Sequence, residues 1–163
     1  MAISDAGTQQ PGGDGRDLDT LAKRVAAVMW AEDSASQALG MRIVDVGAGR
    51  AALTMTVRAD MTNGHGICHG GFMFSLADSA FAFACNSHNH RAVAQACDIV
   101  FVAPVRLGDE LVATAVERLR NGRNGICDVT VRRGEEVVAE FRGRSRLING
   151  AVLDEAAAGE GDT

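Results

Sequence analysis

The sequence predicts an α+β fold in which one antiparallel sheet wraps around a long central helix, with a second helix leading the chain. Three observations predict it. Six segments alternate apolar and polar residues or are rich in β-branched ones, and Gly- and Asn-containing turns separate them. One segment, residues 71–87, is apolar on nearly every side and reads as a helix. A single-layer sheet needs a cover for its apolar face, and this helix is the one long, almost uniformly apolar element that can supply it.

The elements follow in order. "DLDTLAKRVAAVMWAEDSASQALG" places Leu21, Val25, Val28 and Met29 at helical spacing and ends at Gly40, a suitable C-cap. "MRIVDVGAGRAALTMTVRA" alternates around the Gly-rich turn "GAGR", which predicts a hairpin with strands near 41–46 and 50–59. The loop "DMTNGHGICHG" leads into the apolar helix. "RAVAQACDIVFVAPV" is β-branched and ends near Pro104. "DELVATAVERLRNG", "RNGICDVTVRRG" and "EEVVAEFRGRSRLING" then read as three antiparallel strands in sequence order, turning at "LRNGRNG" and "RRGEE".

Bulk properties set bounds on function. A chain of 163 residues suits one domain with a real core, and 47% apolar with 23% charged residues is a globular composition. Asp78 and the serines interrupt the best apolar run short of the roughly 18 residues of a membrane span, so no membrane role is expected. "MAISDAGTQQPGGDGRD" has no basic patch before an apolar stretch, and so does not read as a secretory signal. Cys68, Cys85, Cys97 and Cys127 lie far apart in apolar surroundings, as reduced thiols of a cytoplasmic protein do. The net charge of −5 comes from the ends. Residues 1–17 carry three acids and one Arg, residues 151–163 carry four acids and no base, and residues 18–150 keep 14 acids against 15 bases. Both ends read as disordered tails around one domain, 18–150. The near-neutral middle argues against a nucleic-acid partner but leaves room for a local phosphate site, since eight arginines lie between 118 and 146.

Chemistry concentrates in "NGHGICHGGFMFSLADSAFAFAC", where a Gly- and His-rich loop runs into the apolar helix and that helix carries an acid, Asp78. A desolvated carboxylate needs hydrogen-bond partners or a chemical task. Ser75 and Ser79 are the nearby candidate partners. The helix start offers free N–H groups and a positive dipole end, and "HGG" lets a carbonyl approach that backbone closely. Phe72, Phe74, Phe81 and Phe83 belong to the core or line an acyl pocket.

With these residues in view, the wording "NGHGICHGGFMFSLADSAFAFACNS" closely resembles the PaaI-type thioesterases of phenylacetate degradation, and the order of elements resembles the hotdog fold. "MTV" before the loop, "P…GD" after the next strand and "EFRGRSRLI" near the end fit the same family, so that the resemblance spans about residues 25–148. It implies hydrolysis of aryl- and acyl-coenzyme A thioesters without a metal or other cofactor, by dimers that pair into tetramers. Asn63, His69, Gly70 and Asp78 match the family's functional positions. By the resemblance, Asp78 is general base or nucleophile, the Gly70 N–H polarises the thioester carbonyl, Asn63 orients water or the carboxylate, and His69 supports the loop or the carbonyl. Gly71, Phe72 and Ser79 are expected to meet substrate. Gln95 in "AVAQACD" has no clear assignment.

Spacing adds a constraint. Asp78 lies eight residues beyond Gly70, about 12 Å along a helix, so one carbonyl cannot touch both on the same helix. Two antiparallel helices would bring the start of one to the middle of the other, which predicts a site shared across a two-fold homodimer interface. Rival readings are a zinc site from His65, Cys68 and His69 with Cys85, His88 and His90, a Cys68 nucleophile, and a hotdog enoyl-coenzyme A hydratase using Asp60 and His65. The two zinc groups stand about 25 Å apart along the helix, which disfavours the first. A non-catalytic acyl-coenzyme A-binding protein is the rival from another class. Arg142, Arg144 and Arg146 share one face of the last strand, and Arg142 and Arg144 are candidates for the coenzyme A phosphates, unless neighbouring acids such as Glu135, Glu136 and Glu140 engage them.

Overall fold

The computed structural model describes residues 15–154. The leading helix is two helices, α1 (Gly15–Glu32) and α2 (Ser34–Ala38). The expected single helix breaks because the Asp33 carboxylate accepts from Ser36 N at 2.9 Å and so caps a new helix start. Two strands follow, β1 (Arg42–Gly47) and β2 (Arg50–Thr56), the second ending three residues short of the expected 59, and then a 3₁₀ turn (Ala59–Met61). The central helix α3 spans Gly70–Asn86. The remaining strands are β3 (Ala92–Phe101), β4 (Glu110–Asn121), β5 (Asn124–Arg133) and β6 (Glu136–Leu147).

All six strands form one antiparallel sheet in the order β1-β2-β4-β5-β6-β3. This is the hotdog arrangement, with α3 packed on the concave face. Leu53, Met55, Leu111, Ala113, Val129, Val131 and Phe141 point inward at alternate positions and meet Met73, Leu76, Ala80 and Phe81 of α3. α1 buries Ala22, Val25 and Ala26 and packs against β1. β3 lies at the other edge, mostly exposed, with Val100 62% and Phe101 50% accessible and a bulge at Gln95 between Ala94 and Ala96.

The tails differ from expectation at their inner ends. Residues 15–17 belong to α1, and the backbone of residues 151–153 is held by Asn89 and Arg91, through Val152 N and Leu153 N to Asn89 Oδ1 and Arg91 Nε to Ala151 O. The remaining tail residues, 1–14 and 155–163, lie outside the described residues. No helix among the described residues is long and apolar enough to cross a membrane.

Candidate active site

The loop before α3 is built to hold the helix start in place. Asn63 N donates to Ile67 O at 2.8 Å, and Asn63 Oδ1 accepts from His65 N at 2.9 Å and Ile67 N at 3.4 Å. That leaves the Asn63 Nδ2 group without a protein acceptor among the described residues. Cys68 N donates to Val105 O at 2.7 Å and His69 N to Met61 O at 2.8 Å, fixing the two residues that precede the helix. His69 is the N-cap, its Nδ1 accepting from Gly71 N at 3.0 Å. Its ring also meets the edge of Phe72 at 6.4 Å. The Gly70 N–H has no acceptor among the described residues, as expected for the first residue of a helix. A side chain at Gly70 would place its Cβ 2.7 Å from Phe101 Cζ, so that the half-exposed Phe101 ring would have to swing aside to admit one.

Asn63, His69, Gly70 and Gly71 all border a cavity of about 710 Å³, otherwise walled largely by apolar groups such as Met73, Phe101 and Val105. Asp78 opens instead into a second cavity of about 380 Å³, with Ser36, Leu39, Ser75 and Ser79. Phe74 lines both. One chain therefore keeps the free amide and the acid in separate cavities, in line with their eight-residue spacing. Phe81 and Phe83 are core residues, and Phe72 borders neither cavity.

Asp78 is half-buried, accepts no hydrogen bond from a described residue, and burial raises its pKa above the ordinary aspartate value. The expected serine partners are engaged elsewhere. Ser75 Oγ donates back to Gly71 O at 2.9 Å, and Ser79 Oγ lies 2.8 Å from Ser36 Oγ on α2. Ser36 and Phe101 escaped the sequence reading. Phe101 sat in an apolar run that signals only a strand, and nothing in "DSASQ" says which serine turns inward.

Arg142 and Arg144 point away from α3, since Gly143 between them faces Phe81, and neither borders a cavity. Arg142 grips Asp128 at 2.6 and 2.9 Å, and Arg144 reaches Asp98 at 3.2 Å. These cross-strand aspartates take the place of the expected Glu135, Glu136 and Glu140. Asp60 is paired with Arg58 at 3.0 Å and makes no bond to His65, so the hydratase-like pair is not assembled. Cys68 is buried, with its thiol pKa pushed up, the opposite of what a thiolate nucleophile needs. Among the described residues no three His, Cys, Asp or Glu side chains come together as metal ligands.

Comparison with known proteins agrees with this architecture. The sequence profile of the thioesterase superfamily matches residues 65–140. The acyl-coenzyme A thioesterase PaaI of Escherichia coli is 47% identical over 132 residues, 80% of this chain and 94% of the relative. The solved structure of the E. coli PaaI protein from the phenylacetic acid degradation operon matches with a TM-score of 0.81 at 45% identity, covering 82% of this chain and 98% of that one. A mutant of the phenylacetic acid degradation protein PaaI from Thermus thermophilus matches with a TM-score of 0.68 at 36% identity, covering 69% and 97%. By fold, motif and shared sequence, the chain belongs to the PaaI-type acyl-coenzyme A thioesterases, hydrolases of thioester bonds within the thioesterase superfamily.

Proposed function

We propose that the protein hydrolyses aryl-acetyl coenzyme A thioesters, phenylacetyl and hydroxyphenylacetyl among them, freeing coenzyme A from dead-end intermediates of phenylacetate breakdown in the cytoplasm. The observation that carries this reading is the unpaired Gly70 N–H at the start of α3, opening on a large apolar cavity. That amide donates to the thioester carbonyl oxygen and strengthens its bond as negative charge develops there, aided by the positive end of the helix. His69 holds the neighbouring Gly71 N–H and so keeps the helix start in register. The free Nδ2 of Asn63 orients the attacking water or the carboxylate.

Asp78 supplies the attack. Either its carboxylate oxygen adds to the carbonyl carbon, expelling coenzyme A thiolate and leaving a mixed anhydride for water to open, or it takes the proton of an attacking water. A single turnover in ¹⁸O-water separates the two, because only the anhydride route can leave label in Asp78. The two separate cavities support a site in which Gly70 comes from one subunit and Asp78 from the other, with two such sites per dimer and dimers pairing into a tetramer. The exposed apolar edge of β3 is suited to bury against a second copy. Arg142 and Arg144 would meet a coenzyme A phosphate only by exchanging their aspartates for it.

The test is thiol release from acetyl, long-chain, phenylacetyl and hydroxyphenylacetyl coenzyme A by wild type and Asp78→Asn. Aryl-selective turnover that disappears in Asp78→Asn is expected. No turnover by wild type, with an enoyl thioester hydrated or ligand merely bound, would replace this reading with a hydratase or a binding protein. Mixing Asp78→Ala with Gly70→Pro subunits tests the shared site: mixed dimers should regain about one working site, and no recovery would reject it.

A further inference from the structure

The Asp78 cavity is closed on one side by α2, a helix of five residues whose one buried side chain is Ser36, 3% accessible. α2 is held by bonds of its own. Asp33 caps it at Ser36 N, Met41 N donates to Ser36 O at 3.0 Å, and Arg58 Nη1 reaches Ala38 O at 3.3 Å. Ser36 Oγ lies 2.8 Å from Oγ of Ser79, the residue that follows Asp78. One hydrogen serves the bond between two hydroxyls, so the pair retains a second O–H and spare lone pairs, and no other described group takes them. Around it the lining is mixed: Leu39, Met41, Phe74 and Ala82 are apolar, while Asp33, Ser75 and Asp78 are polar. A hydroxyl pair beside the acid, with Ser36 almost fully buried, recovers its lost hydration only when something in the pocket hydrogen-bonds to it.

We infer that Ser36 on α2 is a specificity-determining residue: with Ser79 it reads a neutral hydrogen-bonding substituent at the far end of the acyl group, while Leu39 limits that group's size. Asp33, on the same wall, disfavours an acyl group ending in a carboxylate. The inference rests on the reading that Asp78 acts on the thioester, since only then does the acyl group lie in this cavity.

The experiment compares kcat/KM for hydroxyphenylacetyl, phenylacetyl and acetyl coenzyme A in wild type, Ser36→Ala, Ser36→Thr and Leu39→Phe, with melting temperatures recorded for each. Ser36→Ala should lower the hydroxyphenylacetyl-to-phenylacetyl ratio by about fivefold to tenfold, the worth of one neutral hydrogen bond, and Ser36→Thr should restore it. Leu39→Phe should lower both aryl esters relative to acetyl, and reports on the wall even if the serine variants fold poorly. Ratios that stay at the wild-type value, or all three substrates falling by one common factor, would overturn the inference. Full activity in Asp78→Asn would overturn the underlying reading instead, so the two failures are distinct.

Discussion

Gly143 of β6 lies directly over the ring of Phe81, and alanine there should cost roughly 1–3 kcal/mol of stability. An alanine Cβ would stand 2.6 Å from Phe81 Cε2 and 2.7 Å from Cδ2. Carbon atoms prefer about 3.5–4.0 Å, so the ring must retreat by roughly 1 Å. It has nowhere to go. Phe81 is 1% accessible, its ring lies 5.9 Å from that of Phe141, and Phe141 meets Phe74 at 5.3 Å. For a domain of this size the penalty converts to a melting temperature lower by about 3–9 °C. Thermal melts of wild type, Gly143→Ala, Phe81→Leu and the double variant measure it. The smaller leucine should relieve the clash, so the double variant should be more stable than the two single losses add up to. A Gly143→Ala melt within about 1 °C of wild type, or simple additivity, would refute the reasoning.

Other consequences are open to equally direct measurement. Burial raises the Asp78 pKa, so this group's stabilising contribution is complete below its unfolded-state pKa and is lost as pH rises through the folded value. Asp78→Asn should therefore melt above wild type near pH 7, with the gap closing below about pH 4, and an equal gap at both pH values would contradict this. Asn63→Asp keeps the oxygen that accepts from His65 N and Ile67 N but removes the amide donor, so turnover should fall by about 10²-fold with little change in melting temperature. A parallel loss of both would show that Asn63 only builds the loop. Burial pushes the Cys85 and Cys127 thiols up to about 12, and both should resist alkylation at neutral pH until the protein unfolds, as peptide mass spectrometry would show.

Much of this architecture was legible because it rests on local pattern. The 71–87 helix and the three final strands follow from periodicity and turn residues, and the structure moves their ends by one to three residues. The split of the first helix was also written in the sequence, as an Asp followed by Ser-Ala-Ser, but a helical pattern on either side masked it. The pairing of β3 with β6, and of β2 with β4, was not legible, since each joins strands far apart in sequence. In the site, Gly70 and Asp78 could be separated by counting helical rise alone. The partners of Ser75, Ser79, Arg142 and Arg144 could not, because each depends on which way a side chain turns and what tertiary folding brings beside it.

The anchoring of α3 bears on how enzymes of this kind can diversify. At its far end Ser87 Oγ accepts from Gly49 N at 2.8 Å, His88 Nε2 lies 2.8 Å from Glu117 Oε2, and Asn86 exchanges hydrogen bonds with the backbone of Ala92 at 3.1 and 2.8 Å. At its near end Val105 and Met61 hold Cys68 and His69. Sliding or tilting a rod pinned at both ends would break these bonds. On the function proposed above, mutation would alter what the pocket accepts mainly at its periphery, in α2 and the rim of β3, while Gly70 and Asp78 keep their positions. Such a division lets one chemistry be inherited intact as the range of acyl groups drifts.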